Sequence, residues 1–142
     1  MVDVVVEASS LNRSGSGSVT GQVFLRGPTG DFPQARWSDF PVVVLGWWIA
    51  GLTEVAVRNE RSFQGMFMDG TFAFVVQRGA GTSGRIAWGK RGEEAAVGII
   101  DINAFLGSAV SAARVVADTC RSRGWRGRDL ETLERAIARS AV

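Results

Sequence analysis

The densest apolar stretch of the chain runs from Trp37 to Leu52, holds three of the five tryptophans and contains one charged residue, Asp39. At its start, Ser38 or Asp39 can accept hydrogen bonds from the free N–H groups of a first helical turn. Pro41 suits the first helical position, where no backbone N–H is needed. The stretch therefore predicts a helix that starts at Ser-Asp-Phe-Pro.

Apolar residues cover both faces of this predicted helix. One face carries Phe40, Val44, Trp47, Trp48, Gly51, Leu52 and Val55, and the opposite face carries Val42, Leu45, Ile49 and Ala50. A helix that is apolar all round is expected to be buried all round. Three consecutive valines also favour β structure, so a buried strand at residues 42–45 is the alternative.

Two segments near the N-terminus alternate apolar and polar residues, as half-buried strands do. These segments are Val2–Ala8 and Val19–Arg26, and the Ser/Gly-rich residues 9–18 predict a loop between them. We expect the two strands to pair antiparallel. The turn-rich residues 27–33 then lead to the central helix.

A hairpin is the strongest local prediction after the helix. Ser62–Met68 and Thr71–Arg78 flank the dipeptide Asp69-Gly70, which favours a two-residue type I′ turn. That turn sets Gly65 opposite Phe74, so an aromatic ring should lie over the glycine and face the central helix. Residues 85–90 and 95–101 predict two further strands, joined by a turn at residues 91–94.

The last third of the chain is predicted to be helical. Asp101 or Asn103 can cap a helix with an apolar stripe formed by Ile102, Leu106, Ala109, Ala113, Val116 and Cys120. Asp129 is placed to cap a second, shorter helix that turns Leu130, Leu133, Ala136 and Ile137 inward. We therefore expect an α+β fold with one domain over residues 1–142: a mostly antiparallel five- or six-stranded sheet, a buried central helix and two C-terminal helices.

Length and composition suit a globular domain with its own core, since 46% of the 142 residues are hydrophobic. One cysteine, Cys120, excludes an internal disulfide framework. The N-terminus carries acidic residues where a signal peptide is basic, and the apolar run at residues 40–52 is shorter than the roughly 20 residues of a membrane helix. We expect a cytoplasmic protein without a membrane partner.

The charge pattern excludes several function classes. A net charge of +2 does not argue for nucleic acid as a partner. The chain has no histidine, which removes Ser-His-Asp and Cys-His catalysis and the commonest metal ligand. We assign no catalytic, cofactor-binding or metal-binding residue and expect no cofactor.

Two features resemble sites but have simpler explanations. Residues 79–84 match G-x-G-x-x-G, yet a strand is predicted to follow, whereas a dinucleotide loop opens a helix, so a hairpin loop is favoured. Cys120 lies on an apolar stripe and is interpreted as a buried structural thiol.

The segment from Arg121 to Arg128 is the candidate binding site. It combines arginine and tryptophan, the residues typical of interface hot spots, outside an obvious core. The partner-binding candidates are Arg121, Arg123, Trp125, Arg126 and Arg128. The alternative is a helix end, with Gly124 in the left-handed conformation and Trp125 packed back on Cys120.

The sequence at Trp37-Ser-Asp-Phe-Pro-Val-Val-Val-Leu-Gly-Trp-Trp48, followed by Phe67-Met-Asp-Gly70, resembles small bacterial proteins similar to the immunity proteins of polymorphic toxin systems. The resemblance covers roughly residues 37–76. It implies a compact cytoplasmic α+β protein that binds another protein, and it carries over no catalytic residue. Neither residues 79–84 nor the segment around Trp125 belongs to the shared pattern.

We therefore expect a protein-binding module, in the form of an immunity-like inhibitor that acts by stoichiometric binding. One alternative is a small-ligand carrier with an apolar pocket between the aromatic sheet face and the central helix. The other is a small enzyme that works with Asp, Glu, Ser and Arg.

Overall fold

The computed structural model describes residues 1–140, which form nine β-strands and three α-helices. The strands are Asp3–Val6 (β1), Asn12–Arg13 (β2), Val19–Gly27 (β3), Gly30–Phe32 (β4), Ser38–Asp39 (β5), Ser62–Met66 (β6), Phe72–Arg78 (β7), Ser83–Lys90 (β8) and Ala96–Asp101 (β9). The helices are Pro41–Arg58 (α1), Ile102–Ser122 (α2) and Arg128–Ser140 (α3). The predicted α+β class is confirmed, with its strands divided between two antiparallel sheets.

The N-terminal sheet is built on β3, the longest strand. β1 pairs antiparallel with β3 from Asp3 opposite Arg26 to Val6 opposite Val23, which confirms the predicted pairing. β4 also pairs with β3 at Leu25, so β1 and β4 lie on opposite edges of it. The short strands β2 and β5 pair with the remainder of β3, which leaves most of its backbone groups satisfied.

The second sheet is an antiparallel meander in the order β6-β7-β8-β9. Gly65 lies opposite Phe74, as predicted. The predicted type I′ turn is wrong. Gly70 has φ of 76°, but Asp69 does not adopt positive φ, and the Gly70 N–H donates to the Phe67 carbonyl at 3.0 Å. The strands therefore end at Met66 and Phe72, and the connection is longer than two residues.

Helix α1 lies over the aromatic face of this sheet, so the helix prediction is confirmed over the strand alternative. The Trp48 ring meets the edges of Phe67 and Phe74, each at a centroid distance of 5.1 Å. Its indole N–H donates to the Met66 carbonyl at 2.8 Å. The Phe74 ring covers Gly65, where an added Cβ would lie 2.1 Å from Phe74 Cζ. Aromatic packing over a glycine thus joins the helix to the sheet.

The predicted side-chain cap of α1 is wrong. Phe40 occupies the N-cap position and makes no side-chain cap hydrogen bond. Asp39 is buried, and its carboxylate accepts hydrogen bonds from Trp37 Nε1 at 2.9 Å, from the Phe40 N–H at 2.8 Å and from the Met68 N–H at 3.2 Å. It therefore ties the start of α1 to the β6–β7 connection instead of capping the helix.

Burial of α1 on all sides is also wrong. Trp47 is 47% exposed, whereas Trp48 is 0% exposed. β6, α2 and α3 all pack against the helix, yet Trp47 and Ala50 stay exposed. By length and composition α1 is the one helix within residues 1–140 that could cross a membrane; 56% of it is buried here, and a core helix passes the same test.

The C-terminal helices follow the predicted stripes. Asp101 caps α2, since its carboxylate accepts from the Ala104 N–H at 2.8 Å. All six stripe residues of α2 are buried. Helix α3 begins at Arg128, so Asp129 lies in its first turn and the predicted cap there is wrong. Leu130, Leu133 and Ala136 are buried against α1 and α2, as the spacing predicts.

Candidate functional site

The corner between α2 and α3 has the predicted helix-end geometry. Gly124 has φ of 71°, and its N–H donates to the Arg121 carbonyl at 3.0 Å. The Trp125 N–H donates to the Cys120 carbonyl at 2.9 Å. These two bonds form a Schellman motif, which satisfies the last carbonyl groups of α2. The Trp125 ring is half-buried against the core next to Cys120.

Two of the predicted partner-binding arginines are engaged in holding this corner. Arg121 donates from Nε to Glu134 of α3 at 3.0 Å, and this hydrogen bond lowers the pKa of the Glu134 carboxyl. Arg123 lies over the Trp125 ring, 4.9 Å from its centroid, and donates to the Leu11 carbonyl at 2.8 Å. Both side chains therefore join the corner to neighbouring elements.

The other two predicted arginines, Arg126 and Arg128, are exposed. Neither side chain makes a hydrogen bond or salt bridge to another residue of the described chain. With Arg13 they line a cavity of about 400 Å³ that reaches Trp125 and the start of α1. Arg13 donates to the Arg126 carbonyl at 3.2 Å, which ties β2 to the segment between α2 and α3. Within the predicted segment, Arg121 and Arg123 therefore hold the corner together, whereas the side chains of Arg126 and Arg128 are exposed and line the cavity.

A second groove, which the sequence did not predict, lies between α1 and α3. It has a volume of about 530 Å³ and runs between Trp47 on α1 and Thr132, Arg135 and Arg139 on α3. Val42, Val43 and Asp129 line both cavities, so the two are continuous. We call the combined surface the α1–α3 face.

An apolar row forms the centre of the α1–α3 face. On α1 it consists of Val43, Trp47 and Ala50, and Phe40 and Met68 extend it toward the arginine-lined cavity. Met68 is 38% exposed. The sequence did contain a signal that this row faces solvent. At the same helical spacing, the row continues to Glu54 and Arg58, which form an ion pair at 3.6 Å on the surface. A row that ends in two charged residues is more typical of a solvent-facing side than of a core.

Charge is unevenly distributed around this row. The α1–α3 face carries six arginines (Arg13, Arg58, Arg126, Arg128, Arg135 and Arg139) and two carboxylates (Glu54 and Asp129), a net charge of +4. The rest of the chain then has ten basic and twelve acidic residues, a net charge of −2. The modest charge of the whole protein therefore hides a basic face on a slightly acidic body.

The two other features that the sequence suggested as sites, Cys120 and residues 79–84, have structural explanations. Burial raises the pKa of the Cys120 thiol, which disfavours the reactive thiolate. Residues 79–84 form the hairpin connection that enters β8, so no helix follows the glycines. In the connection between β8 and β9, Glu94 accepts two hydrogen bonds from Arg85, at 2.8 and 2.9 Å, and this interaction lowers the pKa of the Glu94 carboxyl.

No protein-family model, no curated protein and no solved structure matches this chain.

Proposed function

We propose that this chain is a protein-binding module, an immunity-like inhibitor that acts by stoichiometric binding through the α1–α3 face. The observation that carries the proposal is the half-exposed Trp47 at the centre of a face rimmed by arginines. Tryptophan and arginine are the side chains most enriched at the energetic centres of protein interfaces.

The physical reason is that folding leaves this part of the apolar surface in water. Val43 and Ala50 line the same groove as Trp47, and Val43 also lines the cavity that Met68 reaches, so the apolar lining runs through both. A continuous apolar patch with a polar rim is characteristic of protein interaction sites. Burying it under a partner would recover hydrophobic free energy that the isolated chain does not gain.

Packing of the core bears on the small-ligand alternative. The space between the aromatic sheet face and α1 is occupied by the rings of Trp48, Phe67 and Phe74, all at most 1% exposed. The Phe74 ring also meets Phe105 of α2 at a centroid distance of 5.9 Å. Because rings fill this space, the packing favours a surface that binds protein over an internal pocket that holds a ligand.

The test is a pull-down from the native cell with tagged wild-type protein, Trp47→Ala and the matched control Ile99→Ala. Ile99 is an exposed apolar residue of β9, 73% accessible and outside the α1–α3 face. We expect one protein to be retained in a one-to-one ratio by the wild type and by the control, and to be lost with Trp47→Ala. Mass spectrometry of the eluates measures both. Equal retention by Trp47→Ala would exclude the α1–α3 face as the site, and a bound metabolite would favour the carrier.

A further inference from the structure

We infer that the segment docked on the α1–α3 face belongs to an acidic partner protein and that it presents large apolar side chains to Trp47 and carboxylates to the surrounding arginines. This inference rests on the proposed function, which it extends from protein binding in general to the chemistry of the partner.

The apolar row sets the shape of the segment. It lies in a groove that α1 lines from Val43 to Glu54, about 17 Å at 1.5 Å of rise per helical residue. Helix α3 borders the row on one side through Thr132 and Arg135. A groove of this length between two helices accommodates a short amphipathic segment that turns one apolar face inward.

The arginines set the charge of the segment. The side chains of Arg126 and Arg128 have no hydrogen-bond or salt-bridge partner within residues 1–140, and Arg135 donates only to the Thr132 hydroxyl at 3.2 Å. Guanidinium groups with unused N–H donors bind carboxylates through paired, charge-assisted hydrogen bonds. They surround the row, so carboxylates flanking an apolar side chain would meet them.

The acidic residues of the face do not neutralise these arginines. Glu54 is paired with Arg58 across 3.6 Å, which leaves Asp129 as the one other carboxylate of the face. Asp129 lies in the first turn of α3, where the helix dipole favours a negative charge. The remaining positive charge steers an acidic segment toward the face and repels a basic one.

The experiment selects peptides from a phage-displayed random library on immobilised wild-type protein, with Trp47→Ala as the counter-target. We expect the enriched peptides to combine Asp or Glu with Leu, Phe or Trp, and to lose binding to Trp47→Ala. Neutral or basic peptides that still require Trp47 would overturn the acidic partner but leave the proposed function intact. Peptides that bind Trp47→Ala equally well would count against the proposed function itself. No enrichment would overturn the inference, because a short segment would then not suffice.

A charge-reversal pair measures the contribution of the arginines to the best selected peptide. Arg126→Glu with Arg128→Glu should raise its Kd by about tenfold or more at low salt and flatten its salt dependence. Arg91→Glu with Arg114→Glu changes the net charge equally at exposed positions outside the face, and its Kd should stay within about twofold of the wild type. Equal effects of the two pairs would overturn the inference. Displacement of the peptide by an equimolar single-stranded oligonucleotide would do so too, because the arginines would then serve nucleic acid.

Discussion

Trp47 and Trp48 are neighbours in α1, yet they lie in opposite environments. Trp48 has no exposed surface, contacts two phenylalanine rings and hydrogen-bonds the Met66 carbonyl. Trp47 is 47% exposed beside α3 and the arginines of the α1–α3 face. One side of the same apolar helix therefore builds the core, and the other is partly exposed, which is where we propose that a partner binds.

The difference separates two uses of apolar surface. On the Trp48 side, the rings of Trp48, Phe67, Phe74 and Phe105 pack edge to face, so stability depends on close complementarity. On the Trp47 side, the apolar surface is open and bordered by charge, so its further burial would require a bound partner. Variants on the two sides should therefore affect different measurements.

The largest effect is expected from Trp48→Ala, which should lower the free energy of unfolding by about 3 to 5 kcal/mol because it leaves a cavity among packed rings. Trp47→Ala should lower it by only about 1 kcal/mol, since half of that ring is already in water. Urea denaturation followed by circular dichroism measures both. Equal losses would contradict the division of α1 into a core side and a binding side.

Asp39→Ala should lower the free energy of unfolding by about 2 to 4 kcal/mol, because three N–H donors lose their acceptor at a buried site. The donors belong to Trp37, Phe40 and Met68, so the start of α1 and the nearby part of the face should loosen together. Asp118→Ala, at an exposed position of α2, is the control and should change stability by less than about 0.5 kcal/mol. A loss of that small size for Asp39→Ala would mean that the carboxylate is not a structural centre.

Gly65→Ala tests the aromatic packing on the core side. Its Cβ would lie 2.1 Å from Phe74 Cζ, and the Phe74 ring is held between Trp48 and Phe105. We expect a loss of about 1 to 3 kcal/mol from overpacking. At Gly98 in the same sheet, an added Cβ would lie 3.8 Å from Ile86 Cγ2, an ordinary contact. Gly98→Ala should therefore be tolerated, and a similar loss for both would indicate a general effect of replacing glycine.

The smallest effect on stability is expected for Arg126→Glu with Arg128→Glu. Both side chains are exposed and unpaired within the described chain, so the free energy of unfolding should change by less than about 0.5 kcal/mol. Arg123→Ala should cost about 1 kcal/mol, because it removes the hydrogen bond to the Leu11 carbonyl and the contact with Trp125. Thermal melts at pH 7 separate the two. A larger loss of stability for Arg126→Glu with Arg128→Glu than for Arg123→Ala would mean that the exposed pair, and not Arg123, holds the corner together.

Most of the fold could be predicted because its signals are local. Alternation predicted β1 and β3 and their pairing, and the spacing from Ile102 to Cys120 predicted the buried stripe of α2. The pairing of Gly65 with Phe74 followed from counting back from the turn. Gly124 and Trp125 predicted the end of α2, because a left-handed glycine and the hydrogen bonds around it involve adjacent residues.

The candidate site could be predicted only in part. Arg126 and Arg128 are exposed, and their role in binding stays a prediction. The roles of Arg121 and Arg123 depend on Glu134 and Leu11, which are distant in the sequence. Trp47 was expected in the core, because the apolar pattern of α1 does not reveal how far α3 extends over it. The partner class, the immunity-like role and the cytoplasmic location stay predictions.

By itself, the sequence determined the three helices and the longer strands, since those choices depend on periodicity, turn residues and glycine within a few positions. The short strands β2, β4 and β5 lie in segments that were predicted as loops or as the start of α1, because they form only by pairing with β3. Only the tertiary structure decided what Asp39 binds and which tryptophan is exposed. Met68, one of the three donors to Asp39, is 29 residues away, and the elements around Trp47 come from separate parts of the chain. Long-range packing sets how much of an apolar helix is covered, because burial depends on the neighbours that arrive and not on the residues themselves.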